Sequence, residues 1–275
     1  MAVRLTDVWR YPVKSCRGQR LAEAVVERCG LAGDRRWMVV DGDGRFVTAR
    51  EHHRMVLITP RPDGEVIRLS APGLPGLTVA LPGADAELVP VRVWNSELAA
   101  ALASDEAGRW LGKVAGMDVR LVYLDDPTRR PARPDFSRAG DVVSFADGFP
   151  LLLASEGSLA QLNEWIAAGE HAHEGPLPMT RFRPNVVVAG AAPFAEDAWR
   201  LVRIGGVTFR VAKACGRCVL TTVDPVTAAK GKEPLATLAR HRRWEGNVWF
   251  GVNLIPDAPR AGEVIRAGDP VEALA

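Results

Sequence analysis

"WMVVDGDGRFVTAR", residues 37–50, sets the fold class. Two runs of β-favouring residues, Trp37 to Asp41 and Arg45 to Arg50, flank Asp-Gly-Asp-Gly. The glycines of such a stretch supply the positive backbone angles of a tight hairpin turn. The same texture continues outward: "VIRLSA", "LTVAL" and "VRVW" follow at short intervals, with Gly and Pro between them. Short, evenly spaced strands of this kind build barrels or sandwiches rather than βαβ sheets. From Asn95 to Gly112 the pattern reads as a helix, with Asn95 or Ser96 at its N-cap and Glu97 in its first turn.

The second half repeats the mixture. In "VVSFADGFPLLLASEGSLAQLNEWIAAG" an apolar strand around Phe149 to Ala154 leads into a helix near Ser158 to Ala167, capped by Ser155 or Ser158. "NVVVAG", "WRLVRIGGVTFRVAKACGRCVLTTVD", "NVWFGVNLIP" and "GEVIRAGDPVEAL" read as further strands, interrupted by a short helix near Pro234 to Arg240. Between the halves lies "LDDPTRRPARPDFSRAGD", Leu124 to Asp141. Its Pro and Arg content fits an exposed linker or an ordered basic loop over an anionic ligand, and both readings stay open. The expected architecture is mostly β (α+β): two β-barrel-like units with a few peripheral helices. Their bounds are 1–123 and 142–275, joined by the loop 124–141.

Composition narrows the function classes. The 275 residues are 47% apolar and 25% charged, with a net charge of only +2, so no bulk field favours nucleic acid or a membrane surface. "MAVRLTDVW" alternates charged and apolar residues, unlike a signal peptide or an anchor. No apolar stretch approaches the roughly 20 residues of a spanning helix. A cytoplasmic location without membrane partners is expected, and four unevenly spaced cysteines then read as reduced thiols rather than a disulfide scaffold.

Cys215 and Cys218 form a Cys-x-x-Cys pair feeding into "VLTTV", a segment with strand character. A thioredoxin-type thiol opens a helix instead, which counts against that chemistry. Structural zinc needs four ligands, and no second pair has matching spacing; Cys16 or Cys29 would have to complete the site through the fold. Two readings remain on spacing alone: one soft-metal thiolate ligand, or two small core residues. Of the eight tryptophans, Trp37 and Trp199 sit at apolar strand positions and read as core, while the glycines of "WEGNVWFGVN" suit close backbone approach to a ligand.

Four stretches in order, "YPVKSCRG" (11–18), "GLAGDRRW" (30–37), "FRPNVVV" (182–188) and "CGRCVLTTVDP" (215–225), resemble the MOSC family of molybdenum-cofactor proteins. The first half is similar to the β-barrel that precedes MOSC in the subgroup of the mitochondrial amidoxime-reducing component and its bacterial relatives. "SFADGFPLLL", "WFGVN" and "AGDPVEAL" agree as well.

The resemblance implies a molybdenum cofactor with the Cys218 thiolate on the metal, a soft ligand beside the pterin's dithiolene sulfurs. Lys14 and Ser15, Arg35, and Arg183 with Asn185 match positions that hold the cofactor and its phosphate. Asp147, Ser155 and Ser158 match a loop and helix start that line the pterin; Ser155 and Ser158 equally suit helix capping. Thr48 and Arg50 fall near this site, and Cys215 has at most a supporting part. The implied activity is reduction of small N-hydroxylated compounds, amidoximes and hydroxylamines. The chain reaches Ala275 without further cysteines, so electrons are expected from a separate ferredoxin- or flavoprotein-type donor. A carrier of molybdenum cofactor, or of sulfur on Cys218, without turnover of its own is the alternative.

Overall fold

A computed structural model describes residues 2–274; Met1 and Ala275, the outermost residues of the two expected units, lie outside the described residues. Among the described residues, nine strands form the largest sheet. Its centre is the strand Leu151–Ser155, buried along its whole length, which pairs parallel to Val186–Ala189 on one side and antiparallel to Asn247–Pro256 on the other. A strand covered on both faces reads as a continuous apolar run, and "LLLA" is one. Asn247–Pro256 pairs in turn with Val207–Gly216, which carries Cys215 at its end.

The halves of the chain exchange strands. The first strand, Arg4–Arg10, pairs with Val186–Ala189 inside the large sheet, and Glu23–Glu27 pairs with Val264–Arg266 near the C-terminus. Leu5 and Val8 therefore share a core with Leu153, Val186, Phe209 and Leu254. A second core, with Val39, Val47, Met55, Ile67, Leu69, Trp110 and Leu121, fills the barrel-like first half. Met38, Val91, Val122 and Phe145 form a third cluster that ties the 145–147 loop to the first half.

Three local expectations change. The stretch read as a helix from Asn95 is first a strand, Ser96–Leu102, in antiparallel register with Leu88–Val93; the helix runs Asp105–Ala115. Leu98 to Leu102 are good helix formers, but pairing against the alternating "LVPVRV" outweighs that weak preference. Ser104, not Asn95 or Ser96, is the N-cap, accepting from the Ala107 amide, and Gly116 ends the helix at φ 74°. "RFVTAR" turns back at the predicted DGDG turn but makes only isolated bridges, Phe46 to Val40 and Arg45 to Arg92. "VLTT" is a 3₁₀ turn, Val219–Thr222, because the Thr221 and Thr222 hydroxyls bond back to the carbonyls of Cys218 and Val219. The second-half helices Glu156–Ala167 and Leu235–His241 stand close to their expected positions.

The Pro- and Arg-rich segment holds two 3₁₀ turns, Pro127–Arg129 and Pro134–Phe136. Arg130 is buried from it and donates to the carbonyls of Ser144, Ala146 and Asp147, which fixes the shape of the loop around Asp147. None of its arginines lines the cavity described next.

Candidate functional site

The cavity opens where the turn after the first strand, the loop around Asp147, the 181–185 segment and the Cys215–Thr221 turn meet. Backbone bonds lace the first wall together: Lys14 N–H donates to Trp37 O, Arg35 N–H to Tyr11 O, and Tyr11 N–H to the buried Asp34 carboxylate at 2.7 Å. Ser15, Arg35 and Arg183 all hold left-handed backbone, with φ of 71°, 45° and 56°. That conformation is disfavoured for side-chain-bearing residues and persists only where the surroundings enforce it.

Six cationic side chains line the cavity, Lys14, Arg35, Arg50, Arg181, Arg183 and Arg217, against one carboxylate, Asp147. Lys14 is buried; its Nζ donates to Asp147 Oδ1 at 2.6 Å and to Phe145 O at 2.8 Å. Burial lowers its pKa to about 8, with Asp147 opposing the shift. Burial would raise Asp147, yet the charges and hydrogen bonds of Lys14 and Arg50 hold it well below the usual carboxylate range. Arg35 is occupied by Asp34 at 2.6 Å, Asn185 Oδ1 at 2.8 Å and the Arg183 carbonyl at 3.2 Å. Arg181 is tied to Asp224 and to Thr222 O. Arg183 differs. Among the described residues its guanidinium finds no hydrogen-bond acceptor; it lies 4.4 Å from the Tyr11 ring centre, which also carries Arg35 at 4.3 Å, and burial lowers its pKa. An unanswered cation against a buried ring is a standing demand for an anion.

Cys218 opens the 3₁₀ turn at the cavity wall, half-buried. Arg50 Nε donates to its Sγ at 3.3 Å while Nη2 donates to Asp147 Oδ2 at 2.6 Å, so one guanidinium joins the thiol to the carboxylate. Thr48 Oγ1 steadies that arginine, accepting from its backbone and Nη1 at 3.2 Å each. Cys215 also faces the cavity and accepts from Arg217 Nη1 at 2.9 Å. Cys16 and Cys29 are buried elsewhere, where burial pushes both thiols up to about 12. Among the described residues no three His, Cys, Asp or Glu side chains are grouped to hold a metal. A lone thiolate is a suitable donor for a metal that arrives with other ligands of its own.

The cavity thus brings together Lys14, Ser15, Arg35, Asp147, Arg183, Asn185 and Cys218. Asn185 acts inside the wall: its Oδ1 accepts from Arg35 and from Leu152 N–H, and its Nδ2 donates to Trp9 O. Ser155 and Ser158 are outside the lining. Ser155 sits at the N-cap position without capping, its Oγ buried and unpartnered, and Ser158 Oγ is drawn to the buried Glu196 carboxylate at 2.7 Å. Arg181, Arg217 and Asn253 line the cavity without having been singled out. Each stands within a quoted stretch or two residues from a quoted arginine, so proximity along the chain was the available signal. Gly251 of "WFGVN" approaches protein rather than ligand: a Cβ there would meet Leu153 O at 2.5 Å.

Family models for the MOSC N-terminal β-barrel domain and the MOSC domain match residues 2–118 and 140–272. Mitochondrial amidoxime-reducing component 1 of Homo sapiens is 34% identical over 98% of this chain and 82% of its own length. The Xenopus laevis protein of that name is 34% identical over 95% and 79%. Among solved structures, the YUAD protein from Bacillus subtilis aligns over 98% of this chain and 94% of its own at 10% identity, with a TM-score of 0.44. The expected cytoplasmic location is corrected by these relatives, whose names place them in mitochondria. No helix among the described residues is long and apolar enough to cross a membrane.

Proposed function

Because the chain belongs to the family of MOSC-domain proteins with an N-terminal MOSC β-barrel, which includes the mitochondrial amidoxime-reducing components, we propose that it is a molybdenum-cofactor-dependent reductase of N-hydroxylated compounds. The observation that carries this reading is the cavity's imbalance, six cations and a thiol against one carboxylate. A phosphate-bearing pterin with a soft metal fits that donor set: the anion answers Arg183, and the sulfur takes the metal.

When bound, the cofactor supplies the two-electron chemistry by which R–NHOH, two electrons and two protons become R–NH₂ and water. The chain's own residues bind and orient. Arg183, Arg35 and Lys14 hold the anion, the first two pre-positioned by their left-handed backbone and the Tyr11 ring. Ser15 offers its hydroxyl from a buried turn. Asn185 positions Arg35, and Arg50 aims an N–H at the Cys218 sulfur while holding Asp147 at the mouth. Ser155 and Ser158 stand behind the cavity lining, Ser158 bonded to Glu196 and the Ser155 hydroxyl buried without a partner. Electrons come from a separate carrier of ferredoxin or flavoprotein type.

The half-buried Cys218 also suits a carrier that loads cofactor or sulfur without turnover. One assay separates the two. Protein made in a host that supplies molybdenum cofactor is given benzamidoxime and reduced methyl viologen. Turnover by the parent chain and none by Cys218→Ala is the expected result. Full turnover by Cys218→Ala with its metal retained would sink the thiolate assignment, and a metal-loaded parent without turnover would favour the carrier.

A further inference from the structure

We propose that Lys213 is the substrate-side cation of this cavity, selecting N-hydroxylated substrates that carry an anionic group on a planar apolar body. The proposal rests on the reductase reading and adds a substrate class to it.

Register places the residue. Lys213 pairs with Asn253 across the Val207–Gly216 and Asn247–Pro256 strands, and Asn253 Nδ2 donates to the carbonyls of Lys213 and Ala214. Cross-strand partners share a face. Asn253 lines the cavity, so Lys213 rises from the same face just outside the lining. Its Nζ stands 4.7 Å from the Phe136 ring centre and 5.5 Å from that of Trp249. Both rings continue the wall: Phe136 meets the cavity-lining Phe149 edge-on at 6.0 Å, and a Cβ on Gly216 would touch Trp249 at 3.7 Å.

The ammonium is half-buried between these rings, and among the described residues it has neither a carboxylate partner nor a hydrogen-bond acceptor. The inner cations are spoken for by Asp147, Asp34 and Asp224, or by the sulfur and carbonyl that hold Arg217. Arg183 is the inner exception, at the place of the cofactor anion. Lys213 is an outer one, half-buried whereas Arg133 beside Gly148, also unpartnered among the described residues, is exposed, and it stands at the rim where a substrate's far end lies while its N–O group points inward. Phe136, Phe149 and Trp249 give that end flat apolar faces, and the ammonium between them favours a carboxylate or phosphate. Phe136 belongs to the Pro- and Arg-rich segment, so that segment reaches the site through an aromatic ring as well as through the Arg133 side chain beside Gly148.

The test compares benzamidoxime with 4-carboxybenzamidoxime in the parent, Lys213→Gln and Lys213→Arg proteins. KM is measured with reduced methyl viologen, and Kd of the same two compounds by calorimetry. Expected is a roughly tenfold preference for the carboxylate in the parent, gone in Lys213→Gln and largely restored in Lys213→Arg, with equal molybdenum contents. No preference in the parent, or one that survives Lys213→Gln, would overturn the proposal. So would loss of molybdenum from Lys213→Gln, which would assign the ammonium to the cofactor's phosphate. A Lys213-dependent Kd preference without turnover of either compound would instead sink the reductase reading and leave the anion site standing.

Discussion

Arg183 shows the logic of the site at the scale of one residue. It is held at φ 56°, stacked on Tyr11, and given nothing within the described protein to bond. Left-handed backbone costs about 1–2 kcal/mol at any non-glycine residue, Gln as much as Arg, so what the substitution removes is the desolvated cation. Replacing it should therefore not harm the empty fold. Arg183→Gln is expected to melt, without cofactor, at or above the parent's temperature, while retaining at least tenfold less molybdenum after purification. A melting temperature several degrees lower with metal content intact would make Arg183 structural.

Lys14 makes a pH-dependent prediction. Its folded pKa, lowered to about 8 by burial, lies below its ordinary 10.5. The unfolded chain binds more protons between those values, so stability must rise with pH across that window and gain nothing further below it. In cofactor-free protein the gain attributable to Lys14 reaches about 3 kcal/mol by pH 10.5, at about 1.4 kcal/mol per unit. The urea midpoint of the parent, taken relative to that of Lys14→Met, should rise between pH 7 and pH 10. Parallel shifts of the two would refute the assignment.

At the scale of elements, the helix Asp105–Ala115 owes its seat to glycine. A Cβ on Gly108 would stand 2.5 Å from Val119 O, and one on Gly112 would stand 2.9 Å from Met117 O. In an exposed helix Gly→Ala stabilises by up to about 1 kcal/mol. Here the sign reverses, and Gly108→Ala should lower the melting temperature by several degrees. The helix was legible as composition but not as position. Leu98 to Leu102 look helical alone, and only the partner strand Leu88–Val93 makes them β. "VLTT" failed the same way in reverse: β-branched residues promised a strand, and two threonine hydroxyls bonding backward made a turn. That turn is what presents the Cys218 sulfur at the cavity wall.

At the scale of the whole molecule, the site is a product of strand exchange. Arg4–Arg10 lies in the large sheet beside Val186–Ala189, which sets the Tyr11–Ser15 turn against the 181–185 segment 170 residues later in the chain. No periodicity along the sequence encodes that meeting. The strand-rich class followed from turn chemistry and spacing. The convergence of Lys14, Arg35, Arg183 and Cys218 followed from motifs shared with a family, because a cavity wall made of four loops leaves no fixed spacing to read. Ser155 and Ser158 show the limit: the motif carried them into the site, and the buried Glu196 carboxylate holds Ser158 out of it.

The central claim is that Cys218 ligates molybdenum brought by a pterin, and X-ray absorption at the molybdenum edge tests it most directly. The parent protein from a cofactor-producing host should hold about one metal per chain, with one more sulfur scatterer than the Cys218→Ser protein purified beside it. Equal sulfur counts in the two, or a parent chain that carries neither molybdenum nor pterin, would contradict the account.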